Sequence, residues 1–189
     1  MKNIVVLASG SGTNLERIIE CINKGEISNA KITLVVADRD CFALKRAENH
    51  NIPHKLIKRG KDFCENLDNI LPNDTDLIVC AGFLSIITEN FTKKWAGKII
   101  NIHPSLLPKF GGKGMWGMNV HKAVIDAKET ESGASVHFVT AGIDEGEVIL
   151  QGKVAVLDTD TPETLAEKIH KVEYDIFPKA IEMVLNKNL

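Results

Sequence analysis

The first hundred residues alternate short apolar runs with amphipathic stretches. IVVLAS (4–9), ITLVVA (32–37), DLIVCAG (76–82) and KIINIH (98–103) are nearly continuous runs of apolar, largely β-branched residues. Such runs are typical of strands that are covered on both faces of a parallel sheet, whereas half-exposed strands alternate apolar and polar positions. A shorter strand is predicted near residues 53–57. The pattern therefore predicts several buried strands rather than an exposed β-structure.

Helical spacing fills the segments between these runs. The spacing predicts helices over 15–22, around 42–50, near 62–71 and around 88–95. Repeated strand–helix–strand units are the signature of an open α/β fold, because each helix carries the chain back to start another parallel strand. We therefore expect an open, mostly parallel, twisted sheet.

The pattern changes after residue 130. ASVHFVT (134–140) and EVILQGKVAV (147–156) are two strand-like segments joined by the short connection AGIDEG, which predicts an antiparallel C-terminal hairpin. A final helix is predicted to open at Thr161, a capping residue, with Pro162 at its first helical position. No repeat, low-complexity stretch or linker interrupts the sequence, so we expect a single domain over 1–189.

Composition narrows the classes of partner. The formal net charge is −2, from 23 basic and 25 acidic residues, and so gives no basic excess typical of nucleic-acid binding. No apolar run approaches the ~20 residues that cross a bilayer. We therefore expect neither a nucleic-acid partner nor a membrane. The four cysteines lack CxxC spacing and the six histidines lack metal-ligand spacing, which favours reduced thiols, a cytoplasmic location and no metal: Cys21, Cys41, Cys64 and Cys80.

The segment LASGSGTNLERII places two glycines between the first strand and the first helix. Such a turn presents backbone N–H groups at the start of a helix, where the partial positive charge favours an anion such as phosphate. The side chains of Thr13 and Asn14 are candidates for further hydrogen bonds. The alternative is a plain tight turn in which Thr13 or Asn14 caps the helix.

The first glycine-rich turn also leaves open a different class of nucleotide-binding protein. The Gly-rich turn is neither a Walker A loop nor a complete dinucleotide fingerprint, but Asp38 stands where a ribose-binding acid would. An NAD enzyme or a non-catalytic nucleotide-binding module is therefore an alternative.

The second glycine-rich stretch, FGGKGMWGMNVH (110–121), has neither helical nor strand spacing, which predicts a mobile surface loop near a site.

The run NIHPSLLP places two polar side chains at the end of a buried strand. Asn101 and His103 lie two residues apart, so they share one face of the strand. Pro104 ends the strand and leaves both at its carboxyl end, where open α/β sheets bind ligands. An amide beside an imidazole can stabilise an oxyanion and donate a proton in acyl transfer. The alternative is a buried polar pair that only positions a loop.

Four segments together resemble the phosphoribosylglycinamide formyltransferase family of folate-dependent enzymes. They are VVLASGSGTNLERII, DLIVCAGFLSII, NIHPSLLP and SVHFVTAGIDEGEVILQ, in that order. The resemblance implies a Rossmann-like formyltransferase fold. It also implies an enzyme that transfers the formyl group of 10-formyltetrahydrofolate, its co-substrate, to the amine of N1-(5-phospho-D-ribosyl)glycinamide in de novo purine (IMP) biosynthesis. The expected partners are small-molecule substrates, and the expected state is a monomer or homodimer.

The resemblance also implies the site residues. Asn101, His103 and Asp144 would be catalytic: the amide donates to the formyl oxygen, and the carboxylate keeps the imidazolium charged. The ribonucleotide would bind at Gly12, Thr13, Asn14 and Glu173. The folate would lie against the segment after the fourth strand, the catalytic amide and the AGIDEG connection: Leu84, Ser85, Ile86, Ile87, Asn101, Thr140, Ala141, Gly142, Ile143 and Asp144.

Without the resemblance, several of these residues have simpler interpretations. Glu173 would be a solvated charge on a helix face, Asp144 a turn former, and the folate residues part of the core. The chain also departs from the family pattern. Ser85 stands where an arginine is common, and a second folate-side arginine has no clear counterpart, with Arg59, Lys61 and Cys64 nearby.

Other enzymes that use 10-formyltetrahydrofolate are the nearest alternatives. Methionyl-tRNA formyltransferases add a C-terminal nucleic-acid-binding domain, and formyltetrahydrofolate hydrolases usually add an N-terminal regulatory domain. We expect neither domain in 1–189. A hydrolase, or a formyltransferase that acts on a sugar or another amine, remains the principal alternative.

Overall fold

A computed structural model of the chain describes residues 1–186 and contains a seven-stranded sheet in that part. The last three residues of the expected 1–189 domain lie outside the described residues. The strands are β1 Lys2–Ala8, β2 Ala30–Ala37, β3 His54–Leu56, β4 Leu77–Cys80, β5 Ile99–His103, β6 Glu131–Phe138 and β7 Val148–Ala155. The helices are α1 Thr13–Asn23, α2 Phe42–Asn49, α3 Phe63–Ile70, α4 Glu89–Lys94, α5 Met118–Asp126 and α6 Pro162–Leu185.

The strand order is β3-β2-β1-β4-β5-β6-β7. The first five strands pair in parallel, whereas β6 is antiparallel to β5 and β7 is antiparallel to β6. The predicted fold class, a mostly parallel sheet with an antiparallel C-terminal hairpin and a final helix, is confirmed. The chain builds outward from β1 in one direction and then restarts at β4 on its other side. Ligands bind at the carboxyl ends of the strands beside such a switch point.

The central strand β1 explains why the apolar runs do not alternate with polar residues. Val5 and Leu7 pack into one hydrophobic cluster with α3 and α4, whereas Ile4, Val6 and Ala8 pack into another with α1 and α6. Both faces of the strand are therefore buried, and every position from 4 to 8 is apolar because none meets water. None of the helices in the described part of the chain has the length and apolarity that spanning a bilayer requires.

The last helix begins as predicted. The hydroxyl of Thr161 accepts a hydrogen bond from the Thr164 backbone N–H, and the Thr164 hydroxyl accepts one from the Thr161 N–H. This reciprocal capping box, together with Pro162 at the first helical position, satisfies the orphan donors of the first turn. Leu165 and Ile169 are fully buried beneath the sheet. The helix therefore delivers its inward-facing residues to the core and to the site described below.

The predicted loop 110–121 is wrong at its end. Residues up to Gly117 form a loop, but α5 begins at Met118, and Val120 and His121 on its first turn are buried. Gly112, Gly114 and Gly117 all have positive φ, so the glycines account for the irregular segment only as far as residue 117. Four residues of helix were too short a signal to be distinguished from the glycine-rich sequence that precedes them.

The cysteines are free thiols, as expected. Cys21, Cys64 and Cys80 are buried, and Cys41 is half-buried. Burial raises the pKa of the Cys80 thiol to about 12. A buried thiol that resists ionisation is chemically inert, so we assign Cys80 a role in packing the core.

Candidate active site

A cleft of about 680 Å³ opens at the carboxyl ends of β1, β4 and β5. Its walls are the β1–α1 turn, the segment after β4, the end of β5 and the β6–β7 connection. Every predicted site residue lines this cleft. The structure also brings to it several residues that the sequence analysis did not assign: Arg39, Arg59, Lys113, Trp116, His121, His137 and His170. Residues 1–186 contain no group of three or more His, Cys, Asp or Glu side chains placed to hold a metal ion.

His103 lies between two hydrogen-bond acceptors. Its Nε2 is 2.8 Å from the carbonyl oxygen of Phe110, and its Nδ1 is 3.5 Å from Oδ2 of Asp144. A carbonyl oxygen only accepts, so Nε2 carries a proton, assigned from this contact. The other nitrogen then faces a carboxylate. This arrangement suits an imidazolium, which donates from both nitrogens.

Asp144 is both a turn residue and a member of the site. Its φ of 58° is in the left-handed region, which aspartate and asparagine tolerate better than most residues. The backbone N–H of Gly112 donates to Oδ2 at 3.0 Å. Oδ1 lies 3.6 Å from Nε2 of His137. The turn therefore fixes the carboxylate between two imidazole rings, and the glycine-rich loop holds it from the other side.

His137 orients the amide of Asn101. The antiparallel register of β5 and β6 places the two residues opposite each other, and Asn101 Nδ2 is 3.1 Å from His137 Nε2. His137 Nδ1 donates to the Phe138 carbonyl oxygen at 2.8 Å, so Nε2 is the acceptor. Burial lowers the pKa of His137, in agreement with a neutral ring. One N–H of Asn101 is thereby used, and the other remains for a ligand.

Sequence analysis missed His137, although a signal existed. Ser135 and His137 are alternate polar residues in the otherwise apolar segment ASVHFV, as Asn101 and His103 are in β5. Cross-strand neighbours on one face lie close together, and the register pairs Asn101 with His137 and His103 with Ser135. The missing information was the pairing of β6 with β5.

A buried polar pair joins α1 to α6 at another end of the cleft. Asn14 Nδ2 donates to Oε2 of Glu173 at 3.1 Å. Glu173 is only 6% exposed, so the interpretation of it as a solvated helix-face charge is wrong. Burial raises the pKa of Glu173, against the opposing effects of the Asn14 hydrogen bond and the nearby His170. Oδ1 of Asn14 is buried and has no hydrogen-bond partner among residues 1–186. The pair therefore offers an acceptor to a ligand donor.

Gly12 allows the β1–α1 turn to pack against α2. Its φ is 72°, and a Cβ added at this position would lie 2.8 Å from both Cα and Cβ of Ala43. The N-terminus of α1 has no side-chain capping hydrogen bond. Asn14 bonds to Glu173 instead, so the structure does not support the plain-cap alternative. The backbone donors of the first turn of α1 remain available at the cleft, as anion binding requires.

The substitution Gly12→Ala is expected to lower the free energy of unfolding by about 2 to 4 kcal/mol. The added methyl group would clash with Ala43, and alanine would be strained in the left-handed backbone conformation at this position. Urea denaturation measures this loss. Gly10→Ala is the matched control, since an added Cβ there meets nothing within 4 Å. Equal stabilities of the two variants would contradict the close approach of the turn to α2.

A buried carboxylate, that of Asp38, lies beside Ser85 in the segment after β4. The Ser85 hydroxyl donates to Oδ2 of Asp38 at 2.6 Å, Arg59 Nη2 donates to the same oxygen at 3.0 Å, and Arg39 Nε donates to Oδ1 at 3.0 Å. The Asp38 side chain is fully buried. Its carboxylate is thus occupied by protein donors and not free for a ribose, which removes the support for the NAD alternative. Leu84 and Ile86 expose apolar surface beside this cluster.

His121 is a buried imidazole that the sequence analysis did not single out. It is 3% exposed, and its Nδ1 has no hydrogen-bond partner among the described residues. Burial, with smaller contributions from the nearby His170 and His103, lowers the pKa of His121 to about 4. Because the folded pKa is below the value of 6.5 for an exposed histidine, His121 favours folding above pH 6.5. That stabilisation is lost as the pH falls through about 4.

This dependence predicts a difference between the protein and His121→Gln. Between pH 7 and pH 4 the protein is expected to lose up to about 3 kcal/mol more unfolding free energy than the variant, because glutamine has no proton to gain. Urea titrations at both pH values give the difference. His54→Gln, at an exposed histidine, serves as the control and should follow the unsubstituted protein. Parallel pH profiles for the protein and His121→Gln would contradict a neutral, buried His121.

Comparisons with known proteins identify the family. The formyl transferase family profile matches residues 2–181. The chain is 40% identical to phosphoribosylglycinamide formyltransferase of Haemophilus influenzae, over 96% of this chain and 86% of that protein. It is also 40% identical to the bovine trifunctional purine biosynthetic protein adenosine-3, over 96% of this chain but 18% of that longer protein. The crystal structure of glycinamide ribonucleotide transformylase 1 from Symbiobacterium toebii superposes with a TM-score of 0.91 at 34% identity, covering 99% of this chain and 89% of that one.

Proposed function

The chain belongs to the formyl transferase family, and we propose that its cleft carries out the family reaction on a glycinamide ribonucleotide. It is a one-carbon group transferase of purine biosynthesis that uses 10-formyltetrahydrofolate as co-substrate. The formyl group passes to the amine of N1-(5-phospho-D-ribosyl)glycinamide. The observation that carries the residue assignment is that Asn101, His103 and Asp144 line one cleft, with His103 Nδ1 3.5 Å from Asp144 Oδ2.

The reaction forms one C–N bond and breaks another. The substrate amine attacks the formyl carbon and gives a tetrahedral intermediate whose oxygen carries negative charge. Collapse of this intermediate breaks the bond to N10 of the folate. The amine loses one proton, and N10 gains one. The site therefore has to stabilise an oxyanion and supply a proton to the leaving nitrogen.

Asn101 is the proposed oxyanion donor. Its Nδ2 gives one hydrogen to His137, which holds the amide plane and leaves the second hydrogen to meet the developing oxyanion. A donor that is already oriented contributes most in the transition state, because no reorganisation is needed as the charge develops. His137 is thus a positioning residue in this proposal.

His103 and Asp144 form the proposed proton-donating pair. With Nε2 bonded to the Phe110 carbonyl and Nδ1 near Asp144, the ring is placed to carry a positive charge. An imidazolium in the cleft stabilises the oxyanion by its charge, and it delivers a proton to N10 once one of its N–H groups exchanges its protein acceptor for the substrate. Asp144 places a carboxylate oxygen 3.5 Å from Nδ1 of the ring, where it faces the positive charge that the proposed step requires.

The two ends of the cleft suit the two substrates. The first-turn N–H groups of α1, at Gly12 to Asn14, face the cleft and suit the phosphate of the ribonucleotide. Oδ1 of Asn14 and the carboxyl group of Glu173 suit sugar hydroxyls or the glycinamide amine. The exposed apolar side chains of Leu84, Ile86 and Ile143 also line the cleft and suit a flat pterin.

One assay tests the proposed function. The protein is mixed with 10-formyltetrahydrofolate, with and without the ribonucleotide, and the release of tetrahydrofolate is followed by absorbance. Release that requires both compounds is expected. Release without the ribonucleotide would indicate a hydrolase, and no release in either mixture would indicate a binding module.

Two further features of the protein belong to the same proposal. The chain acts in the cytoplasm, a location that suits its four free thiols. It is a monomer or a homodimer in this proposal, and a site built from the residues of one chain needs no partner chain. Light scattering at two protein concentrations distinguishes the two states, and a higher oligomer would contradict both.

A further inference from the structure

The turn between β1 and α1, Gly10 to Gly12, has all three of its carbonyl oxygens bonded to donors of the protein. The first accepts from the Ala43 N–H at 3.1 Å, and the second accepts from Nε of Arg46 at 2.8 Å. The third accepts from the Glu16 N–H at 2.9 Å. A carbonyl oxygen that faced a phosphate would repel it, whereas backbone N–H groups attract it. The turn therefore keeps its acceptors occupied on α1 and α2.

Arg46, on α2, makes the one contact of the three that depends on a side chain. The other two donors are backbone N–H groups, which a substitution does not remove. Every residue of the turn lines the cleft, but Arg46 does not. Arg46 thus holds the turn from the side of α2, without being a wall of the cleft.

The Ser11 carbonyl and the Gly12 N–H belong to the same peptide unit, which is trans. In a trans peptide these two groups point in opposite directions. The bond from Arg46 to the carbonyl therefore also sets the direction of the Gly12 N–H, away from α2 and toward the cleft. Among the backbone hydrogen bonds of residues 1–186, none uses this N–H as a donor. It remains for a ligand.

Glycine at position 12 leaves the orientation of this peptide unit weakly determined by the backbone itself. Its φ is 72°, and glycine adopts negative φ values about as readily, so no Cβ resists rotation of the unit. A rotated unit would turn the Ser11 oxygen toward the cleft, where a phosphate would meet an acceptor in place of a donor. The hydrogen bond from Arg46 stabilises the orientation that suits an anion.

Arg46 is itself held by two neighbours. Its Nη1 donates to Oε2 of Glu16 at 3.0 Å, and its guanidinium carbon lies 5.0 Å from the centroid of the Phe42 ring. The other oxygen of Glu16 is 2.6 Å from Nε2 of His50. The side chain of Arg46 is only 24% exposed. A guanidinium fixed by a carboxylate and an aromatic ring keeps its Nε directed at one acceptor.

We propose that Arg46 is a positioning residue for the ribonucleotide: it holds the Ser11 carbonyl on the α2 side and thereby directs the Gly12 N–H at the phosphate. This inference rests on the proposed function, in which the phosphate binds at the first turn of α1. Removal of the Arg46 donor releases one peptide unit and changes no group that contacts the formyl carbon. The loss is therefore expected in ribonucleotide binding and not in the chemical step.

The substitution Arg46→Met tests this role, because it keeps an unbranched side chain against Phe42 and removes the donors. The dissociation constant of the ribonucleotide, from calorimetric titration, is expected to rise about tenfold, as for one misdirected hydrogen bond to a charged group. The inhibition constant of ribose 5-phosphate, which carries a phosphate but no glycinamide, should rise by the same factor. Both kcat and the KM for 10-formyltetrahydrofolate should stay within about twofold. Lys45→Met, at an exposed residue that pairs with Glu48, is the control and should change none of these values.

Two further measurements separate orientation from charge. The positive charge of Arg46 also attracts a phosphate through space, and salt screens that attraction. The tenfold difference between the protein and Arg46→Met should therefore persist in 0.5 M NaCl, and a difference that falls to one would overturn the positioning role. In addition, the amide NMR signal of Gly12 is expected to shift when inorganic phosphate is added to the protein. The same addition to Arg46→Met should shift it much less.

The outcomes separate the inference from the proposed function. Equal ribonucleotide affinity in the protein and Arg46→Met would overturn the inference while formyl transfer still occurs. An equal loss of affinity for the ribonucleotide and for tetrahydrofolate would also overturn it, because a general disturbance of the fold affects both. If the urea midpoint shows that Arg46→Met is unfolded, Glu16→Ala provides the test, since it removes the carboxylate that holds Arg46 and should weaken ribonucleotide binding about threefold. Absence of formyl transfer in the unsubstituted protein, with the tenfold difference in ribonucleotide affinity retained, would contradict the proposed function and support the inference.

Discussion

Replacing His103 by glutamine is expected to lower kcat for formyl transfer about 10³-fold, because glutamine carries no ionisable proton. A glutamine amide has a similar size and is able to donate to the Phe110 carbonyl, as Nε2 does at 2.8 Å. Packing around this buried position is thereby largely kept. The glutamine side chain, however, does not supply the positive charge of an imidazolium between Phe110 and Asp144. The expected loss is in the chemical step, so the affinity for the ribonucleotide should stay within about threefold.

Steady-state kinetics and calorimetric titration of the ribonucleotide measure these two quantities. His54→Gln is the control, since His54 is exposed on β3, outside the cleft. The urea midpoint of each variant shows whether it is folded. A folded His103→Gln protein with kcat within tenfold of the unsubstituted value would contradict a proton-donating role. His103→Asn provides a second test if the glutamine variant does not fold.

Replacing Asp144 by asparagine is expected to lower kcat about 10²-fold, because the substitution removes the charge that supports the imidazolium and little else. Asparagine tolerates the left-handed backbone at this position, where φ is 58°. Its amide oxygen can still accept the hydrogen bond that Gly112 N donates to Oδ2. The turn and the glycine-rich loop should therefore keep their positions.

Asp144→Ala separates the charge from the structural role of the side chain. Alanine removes the acceptor for Gly112 and is strained at a positive φ. Limited proteolysis within residues 111–117 should therefore be faster in Asp144→Ala than in Asp144→Asn, although both lose activity. A kcat for Asp144→Asn within threefold of the unsubstituted protein would contradict the electrostatic role of the carboxylate.

The sequence predicted those features that depend on local pattern. Two-sided burial of β1 follows from its unbroken apolar run, and the start of α6 follows from Thr161 and Pro162. The end of β5 follows from Pro104. These features are set by near neighbours in the chain, so short-range rules are sufficient for them.

The features that failed or were missed depend on distant partners. Glu173 is buried because α1 brings Asn14 against it, 159 positions away. His137 reaches Asn101 through a strand pairing that no local pattern encodes, and Asp38 collects donors from three separate segments. The family resemblance predicted that Asp144 acts with His103, whereas the local sequence alone predicted only a turn-forming residue. Local rules find where strands end, whereas the tertiary fold decides what meets there.

The loop between β5 and α5 contacts two proposed catalytic side chains through its backbone. The carbonyl of Phe110 holds His103, and the amide of Gly112 holds Asp144. A replacement loop, shorter or different in sequence, must therefore keep a backbone carbonyl that reaches His103 and, two residues later, a backbone N–H that reaches Asp144. A graft without them would leave both substrates a place to dock while the acid and its counter-ion drift out of alignment. Changing this loop is therefore expected to change catalysis, even though it replaces none of the proposed catalytic side chains.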